Sequence, residues 1–209
     1  MQKSCFAALI LALSGWAQAA SVEIHLVDGA GKPLADAAAY LEPLGSKAPA
    51  SKATAVIDQV DKEFVPLVTV MQTGTLVRFP NRDNIRHHVY SFSPAKTFDL
   101  PLYSGTKADP VLFDKPGQVV LGCNIHDWMI AYALIVDTPW FDKTGADGVA
   151  HLPELPPGDY TLKAWHPYQI ADTPAVPLKS AAGAETRFAF QIKLAPPPVR
   201  ARPRTQGNY

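Results

Sequence analysis

Residues 118–136 read QVVLGCNIHDWMIAYALIV. Two apolar runs rich in Val, Ile and Leu flank one short loop, Cys123-Asn-Ile-His126-Asp-Trp-Met129, and short apolar runs bounded by turn signals are the mark of buried strands. The loop places a thiolate, an imidazole and a thioether within one turn. Soft sulfur donors with imidazole select copper or zinc over magnesium or calcium, and two His with one Cys and a weak axial Met mark an electron-transfer copper centre. A second imidazole must come from elsewhere. His87 and His88, upstream in VRFPNRDNIRHHVYSF (residues 77–92), are the candidates.

An apolar stretch, CFAALILALSGWAQA, follows Lys3, and Ala17 and Ala19 form a small-x-small pair before Ala20. A charged start, an apolar middle and a small-residue end read as a secretory signal over residues 1–19, which implies a periplasmic or secreted protein. The bland alternative is a short buried helix. Cys5 sits in the front half of the leader, too far from the cut to carry a lipid. No later segment offers the roughly eighteen apolar residues of a spanning helix, so no membrane span is expected.

The chain has 2 cysteines, and removing the leader leaves Cys123 alone. No intramolecular disulfide is then possible in a compartment where disulfides are the usual use of cysteine. A core filler is the bland reading. With His126 and Met129 beside it, a metal ligand is the better one, because coordination deprotonates the thiol and protects it from oxidation.

Lys+Arg and Asp+Glu both number 19, a formal net charge of zero. That balance argues against nucleic acid or an anionic membrane surface as the main partner. The end of the chain, APPPVRARPRTQGNY, is the exception: three prolines followed by Arg200, Arg202 and Arg204 read as an extended, disordered, basic tail over residues 196–209.

Helical signals are scarce. β-rich runs recur instead: SVEIHLV, AAAYLEP, VPLVTVM, LVRF, HHVYSF, PVLF, QVVLGC, MIAYALIV, DYTLKAW and RFAFQIKL, punctuated at DGAGKP, KPGQ and LPPGD. An all-β sandwich follows. Residues 93–110 read as a long connection holding a short strand or a helical turn.

Two patterns lie over this background. VEIHLVDGAGKPLADAAAYLEP near the start, then DKTGADGVAHLPELPPGDYTLKAWHP and RFAFQIKL, resemble the carboxypeptidase-regulatory-like and transthyretin-like small β-sandwiches. Between them, QVDKEFVPLVTVMQTGTLVRFPNRDNIRHHV and VLFDKPGQVVLGCNIHDWM resemble the cupredoxins, the plastocyanin and amicyanin type of blue copper protein, some of them labelled methylamine utilization proteins. The implied organisation is a Greek-key sandwich of cupredoxin type (residues 55–136) inserted in a second small immunoglobulin- or transthyretin-like sandwich (residues 20–54 and 137–195). Inserted domains have chain ends close together, which makes this arrangement sterically easy. A tandem, with residues 21–54 adding strands to the copper unit, is the rival.

In the family that this segment resembles, a V-x-F-x-N strand leads to the first His and a K-P-G turn and strand deliver Cys, His and Met. Carried over, His87 is the first imidazole, Cys123 the thiolate, His126 the second imidazole and Met129 the axial thioether, around one copper ion of type 1. The short loop is like that of amicyanin, which implies a dehydrogenase, an oxidase or a cytochrome as redox partner. A rigid β-scaffold suits this chemistry, because it holds the ligands in a geometry tolerable to both oxidation states. A third strand is expected to bring His87 in from across the sandwich.

The chain also departs from the family pattern. The family usually has Asn after the first His, where it ties the two ligand segments together; here His88 stands there. Neighbouring residues on a strand face opposite ways, so His88 is an outer partner or an alternative ligand. Gly122, where an aromatic residue is common, permits close backbone approach or an unusual dihedral. Trp128 reads as a shield for the metal; Asp83, Asn84 and Arg86 read by default as loop residues, although Asp83 near a His pair would raise imidazole basicity. His25, His151 and His166 read as ordinary surface or cap histidines.

The leading expectation is therefore an exported electron carrier rather than an enzyme, since four protein ligands leave no open position on the metal. Copper handling without electron cycling, and a metal-free β-sandwich binding module with Cys123 in its core, are the alternatives.

Overall fold

The computed structural model describes residues 20–45 and 47–198, and all its regular elements are strands. The expected leader and residues 199–209 of the expected tail lie outside the described residues. The chain begins with β1 (Ala20–Asp28) and β2 (Ala38–Pro43). Ten strands follow: β3 (Thr54–Val56), β4 (Asp58–Val60), β5 (Glu63–Val65), β6 (Val68–Gln72), β7 (Thr75–Arg78), β8 (His87–Ser93), β9 (Lys96–Tyr103), β10 (Val111–Phe113), β11 (Gly117–Gly122) and β12 (Ile130–Val136). The last group is β13 (Phe141–Lys143), β14 (Val149–Leu155), β15 (Gly158–Trp165), β16 (Val176–Ser180) and β17 (Glu185–Ile192).

The ladders keep these groups apart. β1 and β2 pair only with strands from the last group, in sheets ordered β14-β1-β17 and β13-β2-β15-β16. The middle strands form a five-stranded sheet, β6-β12-β11-β8-β9, a three-stranded sheet, β10-β7-β3, and the hairpin β4-β5. Residues 51–54 already belong with the middle strands: Ser51 N–H donates to the Thr73 carbonyl, the Ala53 carbonyl accepts from Leu76, and Thr54 opens β3.

Each group has its own core, built by period-two alternation. In β1, Val22, Ile24 and Leu26 turn inward onto Leu41, Leu152, Leu162 and Ile192. In β11, Val119 and Leu121 turn inward with Cys123 onto Phe113, Val77 and Val89. β12 shows why MIAYALIV is apolar throughout. Its Ala131, Ala133 and Ile135 face the middle core, whereas Leu134 and Val136 join Val68, Ala38 and Trp165 in a third cluster. That third cluster is where the two groups of strands meet, so β12 is buried on both faces.

The connection expected over 93–110 contains an eight-residue strand, β9, and no helical turn. Its Pro101 is tolerated because β9 is the edge of the five-stranded sheet, where a missing N–H breaks no ladder.

Gly148, in the turn before β14, has φ +71°, and a Cβ there would stand 2.6 Å from the Leu26 carbonyl oxygen and 2.8 Å from the Leu34 nitrogen. The left-handed conformation alone costs an L-residue about 1–2 kcal/mol. Gly148→Ala is expected to destabilise the protein by at least that much, measured by chemical denaturation; a loss below about 0.5 kcal/mol would show that the turn relaxes freely.

Candidate metal centre

β11 and β12 pair in unbroken antiparallel register from Gly117↔Ile135 to Gly122↔Ile130, so the loop of residues 123–129 is pinned at both ends. Within it, Met129 N–H donates to the His126 carbonyl at 2.9 Å, closing a tight turn. β8 lies beside β11 in the same sheet, with Tyr90 opposite Gly122. His87 therefore enters from an adjacent strand, not from across the sandwich. It shares the inward face of β8 with Val89 and Ser91, as Cys123 continues the inward row of β11.

This packing brings three of the four expected ligands together. Cys123 Sγ lies 3.9 Å from His87 Nδ1 and 3.9 Å from His126 Nδ1. One ligand atom from each residue falls within 4.8 Å of the other two, the single such His, Cys, Asp or Glu group among the described residues. The two imidazole rings stand 4.9 Å apart. Donors held at about 2.0–2.3 Å from a metal are spaced by about 3.5–4 Å, and the two sulfur–nitrogen distances fall in that range. Met129 is buried in the same core as Cys123 and shares with it the wall of a groove.

His87 is fully buried, and its Nε2 lies 2.7 Å from Asp83 Oδ2. A proton on that nitrogen leaves the Nδ1 lone pair facing Cys123, the tautomer a metal ligand needs. Burial pushes the imidazole down, but the hydrogen bonds with Cys123 and Asp83 outweigh it and hold His87 above its ordinary value. Cys123 shows the converse. Burial pushes the thiol up, yet His87 and the backbone N–H groups of His88 and Ile125 more than offset that and favour the thiolate. His126 is held below its ordinary value by burial and by the charges of His87 and Lys62.

His88 points the other way. Its Nε2 lies 2.7 Å from Asp99 Oδ1 and its ring stacks on Tyr90 at 5.3 Å. The register of β8 on β9 shifts between His87 and Val89, but this irregularity does not bring both rings into one site. Gly122 has no unusual dihedral; it makes room for the Tyr90 ring, whose atoms would come within 2.9 Å of a Cβ. Trp128 lies 4.9 Å from the His126 ring and covers it. Asp127 is exposed. His166, expected as a surface or cap histidine, is 5% exposed; its Nδ1 accepts the Tyr168 N–H and its ring packs edge-on against Tyr168.

One feature without a sequence signal is the hairpin turn between β4 and β5. Asp61 and Lys62 both have positive φ, 53° and 60°, and their N–H groups donate to the Asp83 carboxylate at 2.7 and 2.8 Å. Asn-Gly or Asp-Gly is the usual signature of such a turn, and Asp-Lys does not carry it.

No family model matches the chain, and no curated protein does. Solved structures do. A reduced tryptophan-to-tyrosine mutant of amicyanin is 17% identical, with 47% of this chain and 98% of amicyanin covered and a TM-score of 0.37. A novel purple cupredoxin from Nitrosopumilus maritimus is 20% identical, with 41% of this chain and 100% of that protein covered and a TM-score of 0.35. A copper-containing nitrite reductase from Thermus scotoductus is 23% identical over 55% of this chain and only 28% of the reductase, with a TM-score of 0.39. Over about half its length, the all-β chain is similar in fold to these solved structures.

Proposed function

We propose that this protein is an exported electron carrier that holds one type 1 copper ion through His87, Cys123, His126 and Met129. The observation that carries the reading is the position of the Cys123 sulfur, 3.9 Å from the Nδ1 atoms of two histidines that arrive on different segments. Copper, when bound, supplies one-electron chemistry. The chain supplies the rest: β11 and β12 fix the loop, Asp83 sets the His87 tautomer, and two backbone N–H groups stabilise the thiolate. Four protein donors leave no open position for a substrate, which favours a carrier over an enzyme.

The organisation that goes with this function is a leader over 1–19, a copper unit over 55–136, a supporting sandwich over 20–54 and 137–195, and a tail over 196–209. The redox partner is a dehydrogenase, an oxidase or a cytochrome met in the periplasm or outside the cell, and His126, half-buried beside exposed Ile125, is the exit for electrons.

Titrating the mature protein with Cu(II) is expected to give one ion per chain, an intense visible thiolate-to-copper band and a reversible voltammetric wave. Tight binding without colour or wave would replace electron transfer by copper handling, and no tight binding would leave a metal-free module.

A further inference from the structure

We infer that the Asp61-Lys62 turn, acting through Asp83 and Trp128, braces His87 against His126, and that the Asp83 carboxylate biases the bound metal toward its oxidised state. This rests on the copper reading above. Two consecutive non-glycine residues in the left-handed region persist only where their surroundings over-determine them. Here one carboxylate takes both of their N–H groups and also faces His87 Nε2 at 2.7 Å. Asp83 is itself anchored, its N–H donating to Asn81 Oδ1 at 3.0 Å. On the other side of the turn, the Lys62 carbonyl accepts the Trp128 indole N–H at 3.1 Å, and Trp128 packs on His126.

The contacts form a closed circuit from His87 through Asp83, the turn and Trp128 to His126. Its two ends are the rings that stand 4.9 Å apart. His88 takes no part in it, being committed to Asp99 and Tyr90 on the opposite face of β8. The turn ties the two ligand segments from a third element. A carboxylate on the far nitrogen of a ligating imidazole raises its donor strength, and loss of such a partner typically costs roughly 10–100-fold in metal affinity. The higher charge of Cu(II) makes that loss greater for the oxidised ion.

The test uses the full mature protein and two substitutions. Asp83→Asn is expected to shift the ratio of Cu(I) to Cu(II) affinity about tenfold toward Cu(I), a rise in potential of about 59 mV for one electron. In the metal-free protein the same change should move the 15N resonance of His87 Nε2. Trp128→Phe keeps a ring over His126 but removes the N–H, and is expected to speed copper loss to a chelator severalfold with little change in potential. If the wild type shows no thiolate-to-copper band, the copper reading itself has failed. If it does, and folded Asp83→Asn keeps the wild-type potential and resonance, the brace is overturned. Should Asp83→Asn not fold, an unchanged chelator rate in Trp128→Phe overturns it instead.

Discussion

Cys123→Ser is expected to give a folded but colourless protein, with the visible band of the copper-loaded form lost entirely. Thiolate donation to the metal is the source of that band, and a serine hydroxyl stays protonated near neutral pH where a coordinating thiol is deprotonated outright. The fold should survive. Cys123 is 3% exposed, but the backbone N–H groups of His88 and Ile125 that face the sulfur can donate equally to a hydroxyl oxygen, so the smaller polar atom is not left unsatisfied. Far-UV circular dichroism should match the wild type while the band and the voltammetric wave disappear together. A variant that keeps the band would remove Cys123 from the centre, and with it the proposed function.

How much of this centre could be read beforehand follows from how local each part is. Cys123 and His126 lie three residues apart in one loop whose flanking runs name their own strands, so their closeness was legible. Strand parity said only that His87 and His88 cannot share one site; the choice of His87 came from its place in the motif that the segment resembles, and His87 shares the buried row of β8 with Val89 and Ser91. The sheet that carries β8 was not legible, because alternation gives a residue's face but not its neighbouring strand; His87 was expected from across the sandwich and arrives beside β11. β9 was obscured by Pro101, which weakens a strand reading wherever the position in the sheet is unknown. The Asp61-Lys62 turn left no trace, since its left-handed residues are stabilised by a carboxylate more than twenty positions away. Gly122 was legible as a close approach but not as a seat for Tyr90, which depends on cross-strand pairing.

Trp165→Ala is expected to destabilise the protein by about 3–5 kcal/mol, the usual range for truncating a buried Trp, and to split its unfolding into two transitions. Trp165 is 4% exposed and ends β15 in the cluster where Ala38 and Phe141 of the outer strands meet Val68, Leu134 and Val136 of the middle ones. No ladder joins those two sets of strands, so side chains supply most of what couples them. Tyr132 against Tyr168, edge-on at 5.5 Å, is too small a contact to replace an indole. Among the described residues the Trp165 Nε1 has no hydrogen-bond partner, so truncation there sacrifices packing. The ligand residues draw on the middle core, which does not include Trp165, and the visible band should therefore outlast the first transition in denaturant. Coincident unfolding by far-UV signal and by the band, shifted by less than about 1 kcal/mol, would mean that the strands fold as one cooperative unit regardless of this junction.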